Sequence, residues 1–458
     1  MKTETIAAIA TAMSPAGISI VRISGKDAFP IIDKIYRGKK GKKLSAEKSH
    51  TVHYGHIYDG DHLIDEVMVL LMKGPNSYTA EDTVEIDCHG GILITKKILE
   101  TVIKYGAAPA EPGEFTKRAF LNGRIDLSEA EAVMDVIEAK NEFALKASMN
   151  QLQGRVASKI RLLRSEVLDC VAFIEAALDD PEHISMDGYS DELARKVKDM
   201  IEDVQKMIHN ADNGRILAEG VKTVILGKPN AGKSSLLNLL IGQERAIVTD
   251  IEGTTRDTLE EQVYLGGIGF KMIDTAGIRQ TDDIVEQIGV KKAKEVADQA
   301  DLILYVVDSS KELDDNDLEI VNFIKTKRAI ILFNKVDLNE KISFTDINKL
   351  CQDIPTIRLS AKEGRGIDEL IDLLKEMFMT GKVSYNDEVF ITNIRHKKAL
   401  EDSLSSLNMV LDSIEMGMPE DFYTIDLMNV YTQLGFIVGE EVEEDLVNRI
   451  FSKFCMGK

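Results

Sequence analysis

Gly227-Lys228-Pro229-Asn230-Ala231-Gly232-Lys233-Ser234 is a GxxxxGK[ST] run, and its residue types suit one task, the holding of a polyphosphate. Its glycines let backbone N–H groups close on phosphate oxygens, and a helix starting there adds the positive end of its dipole. In this pattern Lys233 bridges the β- and γ-phosphates and the Ser234 hydroxyl ligates Mg²⁺. Asn230, Ala231, Gly232 and Ser235 complete the expected contacts. Asn334-Lys335-Val336-Asp337 begins 107 residues after Gly227. A carboxylate at Asp337 accepts from the N1–H and 2-amino groups of guanine, neither of which adenine offers. Ser360-Ala361-Lys362 comes later, and the Ala361 backbone N–H is expected at guanine O6. An Asn-Lys-x-Asp run alone means little. Placed behind an apolar strand and after the phosphate loop, it names GTP.

Asp274-Thr275-Ala276-Gly277 supplies a third element. Asp274 is placed to hold Mg²⁺ through water, and Gly277 to turn its N–H toward a γ-phosphate. Between this turn and the phosphate loop lies Thr249-Asp250-Ile251-Glu252-Gly253-Thr254-Thr255-Arg256-Asp257, where a nucleotide-sensing switch belongs. Thr255 or Thr254 completes the Mg²⁺ shell. Hydrolysis needs more than binding. Ile278 follows Gly277 and cannot orient a water. The nearest polar candidates are Arg279, Gln280, Asp283, Glu286 and Gln287, and Glu286 is the choice for the water-positioning acid. Transition-state charge can be neutralised by a bound monovalent cation. The side-chain carbonyl of Asn230 is one suitable hard ligand, and switch carbonyls supply the rest.

These residues need elements to position them. Val221–Leu226 reads as a short apolar strand running into the loop, and Ser235–Leu240 as the helix after it. Phe270–Ile273, Ile330–Phe333 and Ile357–Leu359 read as further buried strands. Residues 218–379 are therefore expected as a P-loop GTPase domain with a Ras-like, mostly parallel sheet. Residues 1–118 read as α/β, with strands at Ile18–Ile23 and Val67–Met72, a glycine turn at His89-Gly90-Gly91, and a helix over Ile92–Tyr105. From Leu127 the pattern turns to long helices. Ser128 and Glu131 have capping-box spacing. Helical periodicity runs to Pro181, then over Leu193–Leu217, Ala399–Met416 and Glu440–Phe454. Segments 119–217 and 380–458 are expected to pack as one discontinuous helical domain, because helices this long need partners. The fold class is thus multidomain α/β and α, with the GTPase domain inserted.

The 458 residues suit about three domains. The net charge of −21 makes the chain a poor bulk binder of nucleic acid. Residues 1–60 nevertheless hold ten Lys/Arg against five Asp/Glu, so a local basic patch remains open. No apolar run reaches the ~20 residues of a membrane span, and Met1-Lys2-Thr3-Glu4 does not begin a signal peptide. Cys88, Cys170, Cys351 and Cys455 are widely spaced, which fits a cytoplasmic location. His50, His53, His56 and His62 suit no metal site strongly and read as strand histidines. Arg22, inside an apolar strand, needs an anionic partner.

The tail Phe454-Cys455-Met456-Gly457-Lys458 resembles the C-terminal Cys-x-Gly-Lys signature of the MnmE (TrmE) family of tRNA uridine-modification GTPases. Gly74-Pro75-Asn76-Ser77-Tyr78-Thr79-Ala80-Glu81-Asp82, His89-Gly90-Gly91, Pro112-Gly113-Glu114-Phe115-Thr116 and Arg118-Ala119-Phe120-Leu121-Asn122 are similar to the same family. So is the phosphate loop with Gly253-Thr254-Thr255-Arg256-Asp257, and the resemblance covers essentially the whole chain. It implies a homodimer formed through the N-terminal domain and a flavoprotein partner, MnmG. Together they place an aminomethyl or carboxymethylaminomethyl group on C5 of the wobble uridine of certain tRNAs. The one-carbon unit comes from a reduced folate, 5-formyl- or 5,10-methylenetetrahydrofolate. The resemblance makes Asn230, Thr249, Ile251 and Thr254 K⁺ ligands, Ser234 and Thr255 Mg²⁺ ligands, and Glu286 the water-positioning acid. Folate contacts fall on Arg22, Glu85, Arg124 and Lys458. Arg124 departs from the family's lysine; charge is kept, geometry is not guaranteed. Gly457 and a terminal Lys458 make a poor prenylation box, and the resemblance makes Cys455 a candidate reactive or partner-facing thiol. Much of the tRNA affinity is expected from the partner. The competing class is a regulatory GTPase for ribosome assembly, which needs neither folate nor flavoprotein.

Overall fold

A computed structural model describes residues 4–38, 41–139, 141–243, 260–266, 268–274, 297–298, 300–342, 354–379, 391–440, 442, 444–455 and 457. The chain divides into two compact units. One comprises Met1–Glu138, Ser148–Gln205 and Arg395–Lys458, the other Ala139–Ala147 and Lys206–Ile394.

The first unit opens with strands β1 (Ile6–Ile9), β2 (Ala16–Ser24), β3 (Tyr36–Gly38), β4 (Thr51–Asp59), β5 (His62–Met72), β6 (Thr83–Gly90) and β7 (Ala108–Pro109). They form one seven-stranded sheet in the order β3-β4-β5-β6-β2-β1-β7. All pairs are antiparallel except β1 with β7. Alternation along the strands sorts its two faces. Val21, Ile23, Val67, Val69, Leu71, Val84 and Ile86 point into a core closed by helices α1 (Ala28–Ile35) and α2 (Ile92–Lys104). Arg22 and Glu85, interleaved with them, point to the opposite face.

Helices α3 (Glu114–Leu121), α4 (Leu127–Glu138), α5 (Glu142–Leu152), α6 (Arg155–Asp179) and α7 (Tyr189–Glu219) follow. The capping expected of Ser128 falls two residues earlier. Asp126 Oδ1 accepts from the Glu129 N–H at 2.9 Å, and Glu129 Oε2 accepts from the Asp126 N–H at 2.8 Å. Ser128 instead donates its hydroxyl to Asp126 at 2.7 Å. The physical reason is Glu131, which is needed elsewhere. It is buried and meets two residues, Arg395 and His396, in the first turn of α11 (Ile394–Glu415). Arg395 Nη2 donates to it at 2.7 Å and His396 Nε2 lies at 2.8 Å. Burial alone would raise the Glu131 pKa, but His396 and Arg395 outweigh it and hold the group down to about 2. Of the remaining helices, labelled α12 (Glu420–Val438) and α13 (Glu444–Phe451), the first packs along α6. Segments far apart in sequence thus form a discontinuous helical layer, in one compact unit with the N-terminal sheet.

The second unit holds β8 (Val221–Leu226), β9 (Glu260–Leu265), β10 (Ile268–Asp274), β11 (Leu302–Asp308), β12 (Ala329–Asn334) and β13 (Thr356–Arg358). Their order is β13-β12-β11-β8-β10-β9, parallel except for the edge pair β9/β10. A parallel sheet covered on both faces favours unbroken apolar runs, and every residue of β12 and all of β11 but Asp308 are buried. Helices α8 (Lys233–Gln243), α9 (Asp315–Ile324) and α10 (Ile367–Met379) belong to this unit. In such sheets the carboxyl ends of the strands carry the site.

Candidate functional site

The phosphate loop leaves the carboxyl end of β8 and enters α8 at Lys233. Its conformation is held from behind. Asn334, the last residue of β12, donates Nδ2 to the carbonyl of Ala231 at 2.8 Å. Lys335 Nζ donates to the carbonyl of Asn230 at 2.8 Å and pairs with Asp308 at 2.6 Å. Burial pushes the Asp308 pKa up, but hydrogen bonds from Lys335 and Ser310 outweigh it and leave the carboxyl below its ordinary value. Gly232 has φ +101°, and a Cβ there would stand 2.0 Å from Asn334 Nδ2. The motif's glycine is thus required by the asparagine of the second motif as well as by the backbone. Asn230 adopts φ +62° with its residue exposed on the loop, and Ser234 and Ser235 are exposed at the start of α8. Lys233 Nζ rests on the carbonyls of Gly227 and Lys228 at 2.7 and 2.8 Å.

On the base side, the Ser360 hydroxyl donates to Asp337 Oδ1 at 2.7 Å. This bond, against some burial, draws the Asp337 carboxyl below its ordinary pKa, with Lys362 and Arg365 adding positive charge. The Ala361 N–H, expected at guanine O6, instead donates to Asn334 Oδ1 at 2.9 Å. The reason is that Asn334 needs a donor for its buried oxygen once its amide nitrogen is turned to the phosphate loop. Lys362 is exposed beside this turn. Thr249, Asp250, Ile251, Glu252, Gly253, Thr254, Thr255, Thr275, Ala276, Gly277, Glu286 and Lys458 lie outside the described residues. For Asp274 the structure describes only the backbone, at the end of β10.

A second constellation forms in the first unit. Arg22 on β2 and Glu85 on β6 are direct cross-strand partners, joined from Nε to Oε1 at 2.7 Å. Arg22 Nη1 also donates to the carbonyl of Gly457 at 3.1 Å, so the C-terminal tail returns to the N-terminal sheet of its own chain. Gly457 has φ +85°, and a Cβ there would stand 2.3 Å from the carbonyl oxygen of Ile9. Only glycine lets the tail lie this close. The Tyr78 ring lies 5.5 Å from the Arg22 guanidinium and 4.9 Å from that of Arg124. The Phe115 ring lies 5.6 Å from the Arg22 guanidinium. Sequence reasoning brought Arg22, Glu85 and Arg124 forward and missed Tyr78 and Phe115. Both sit inside the motifs that carried the family resemblance. An aromatic residue inside a motif of turn-forming residues was the available signal. Cys455 is exposed next to this cluster's Gly457.

A mostly parallel sheet with a phosphate loop and an Asn-Lys-x-Asp turn at its strand ends defines a P-loop GTPase, here part of a larger α/β and helical molecule. A family model described as the MnmE helical domain matches residues 127–455, and one described as the GTP-binding protein TrmE N-terminus matches residues 5–124. The tRNA modification GTPase MnmE of Lachnoclostridium phytofermentans is 58% identical over 100% of both chains. Those of Clostridioides difficile and Bacillus subtilis are 48% and 44% identical, each over 99% of this chain and 99% and 100% of their own. The chain belongs to the MnmE (TrmE) family of tRNA modification GTPases. Among the described residues no helix is long and apolar enough to cross a membrane.

Proposed function

We infer that this chain hydrolyses GTP to GDP and phosphate and, with a flavoprotein partner of the MnmG kind, modifies C5 of the wobble uridine (position 34) of certain tRNAs. The group added is aminomethyl or carboxymethylaminomethyl, and its carbon comes from a reduced folate. The observation that carries this reading is the return of the C-terminal tail to Arg22. It puts the family's terminal signature beside an Arg–Glu pair and an aromatic ring in one constellation.

The residues suit the expected ligands. The exposed Ser234 hydroxyl at the start of α8 suits Mg²⁺, which supplies charge neutralisation when bound. The exposed Asn230 suits K⁺, with Thr249, Ile251 and Thr254 as its further ligands and Thr255 as a second Mg²⁺ ligand. Lys233 supports the phosphates, Asp337 selects guanine, and Glu286 positions the attacking water. Arg22, Glu85, Arg124 and Lys458 hold the folate, with Tyr78 offering a ring for a pterin or a guanidinium to stack on. Residues 1–118 form the folate-binding and dimerisation domain, 119–217 and 380–458 the helical domain, and 218–379 the GTPase domain. Two copies join through the N-terminal domain, and tRNA is bound mainly with the flavoprotein.

Mass analysis of tRNA nucleosides tests the reading. Deleting the gene should remove the C5 group from wobble uridines, and restoring the wild-type chain should return it. Unmodified levels that do not change on deletion would reject the proposal.

A further inference from the structure

Lys228 is the second residue of the phosphate loop, and the nucleotide reading gives its side chain no task. Its ammonium is placed all the same. Nζ lies 2.5 Å from Asp314 Oδ1 and 2.6 Å from Asp317 Oδ2. Asp314 caps α9, accepting from the backbone N–H groups of Asn316 and Asp317. Asp317 is buried and held on both oxygens. The hydroxyl of Tyr305, a fully buried residue of β11, donates to Oδ1 at 2.7 Å, and the Asp314 N–H donates to Oδ2 at 3.1 Å. Lys228 is therefore fastened to a carboxylate that the sheet core and a helix cap already hold rigid. Burial disfavours its ammonium, yet the two carboxylates outweigh that and keep the lysine charged.

The main chain at this residue is as informative. Lys233 Nζ donates to the carbonyls of Gly227 and Lys228. Those two oxygens set where the ammonium sits before any phosphate arrives. The bonds from Lys335 and Asn334 reach Asn230 and Ala231, in the middle of the loop. Lys228 fastens its start.

We propose that Lys228 is a positioning residue for nucleotide binding: its grip on Asp314 and Asp317 at the start of α9 fixes the carbonyl oxygens that hold the Lys233 ammonium toward the phosphates. This rests on the reading of the loop as the GTP site. Lys233 meets the phosphates in the ground state and the transition state alike. Its misplacement is a uniform loss of binding, which raises KM and leaves kcat nearly alone.

The test uses the full chain and titrates fluorescent GDP and a non-hydrolysed GTP analogue beside steady-state phosphate release. Lys228→Met should weaken both nucleotides about tenfold and raise KM to match, with kcat within about threefold of wild type. Lys228→Arg, which can still reach both carboxylates, should recover affinity to within about threefold. Asp314→Asn keeps the helix cap and the buried pair, and should weaken binding by about threefold. A folded Lys228→Met chain with wild-type affinity would overturn the proposal. So would a fall in kcat without a change in affinity, or an arginine variant as weak as the methionine one. If Lys228→Met does not fold, Asp314→Asn decides: wild-type affinity for both nucleotides sinks the idea. A wild-type chain that binds neither nucleotide would overturn the GTP reading itself, a result distinct from any difference among the variants.

Discussion

Asn334 shows how much a motif residue can do away from the ligand. Its amide donates to the Ala231 carbonyl and its oxygen accepts from the Ala361 N–H, so one side chain ties the phosphate loop to the base-side turn. Asp337, the residue proposed to read the base, has one oxygen held by Ser360. Asp337→Asn replaces an acceptor pair by an amide that meets guanine's 2-amino donor with a donor of its own. GTP affinity should fall by about tenfold or more, and preference should shift toward xanthosine triphosphate, whose keto group can accept from the new amide. A calorimetric comparison of the two nucleotides checks this, and an unchanged preference would refute it. Catalysis is a separate matter from binding. Glu286→Ala should leave nucleotide affinity near normal and lower turnover ~10²–10⁴-fold, the usual worth of a positioned base. Turnover should be fast in K⁺ and slow in Na⁺, and Asn230→Ala should erase that difference. Phosphate release equal in both salts would remove the cation from the account.

At the scale of elements, the joint between α4 and α11 is an ionic clasp inside a largely apolar layer. Glu131 meets Arg395 through two bonds, at 3.0 and 2.7 Å, and touches His396 as well. Its carboxyl has a folded pKa of about 2 against an ordinary value of 4.5. A depressed acid stabilises the fold above its unfolded pKa, and that contribution is lost as pH falls through the folded value. The clasp should therefore weaken from about pH 4.5 down to about pH 2. Denaturation followed across this window should show a shallower acid limb in Glu131→Gln than in wild type. Glu131→Ala leaves the guanidinium of Arg395 without its carboxylate and should cost roughly 3–5 kcal/mol at neutral pH. Equal acid sensitivity in wild type and Glu131→Gln would rule out the clasp as a source of acid lability.

At the scale of the molecule, the C-terminal tail meets the N-terminal sheet. Phe451 and Phe454 are buried in a cluster with Leu127, Ala130, Val133 and Met134 of α4, and Val447 completes the stripe. That packing delivers Gly457 to Arg22. Deleting Phe454–Lys458 should reduce binding of 5-formyltetrahydrofolate and abolish tRNA modification, while GTP hydrolysis survives. The reason is that every described residue of the nucleotide site lies in the other compact unit. Folate titration beside a phosphate-release assay separates the outcomes. Unchanged folate affinity would detach the tail from the site, and loss of both activities would indicate misfolding.

What the amino-acid sequence determined by itself was chemistry with a local signature. The phosphate loop, the Asn-Lys-x-Asp turn and the strands before them are contiguous runs in which backbone geometry and side-chain function share a few neighbouring residues. The apolar run Ile330–Phe333 of β12 likewise announced a buried strand, whereas β11 was not singled out. Other features depended on partners far along the chain. The spacing of Ser128 and Glu131 suggested a cap, but Glu131 is drawn to Arg395, 264 residues away, and Asp126 caps instead. Arg22 was legible as an anomaly, a charge inside an apolar strand. Its partners were not, because Glu85 is set by sheet register and the Gly457 carbonyl by the docking of the final helix, 435 residues on. The Ala361 N–H could be assigned to a base from its motif, yet only packing showed that Asn334 claims it. Side-chain pairing across such separations is decided by how elements pack, and no local pattern of residues encodes it.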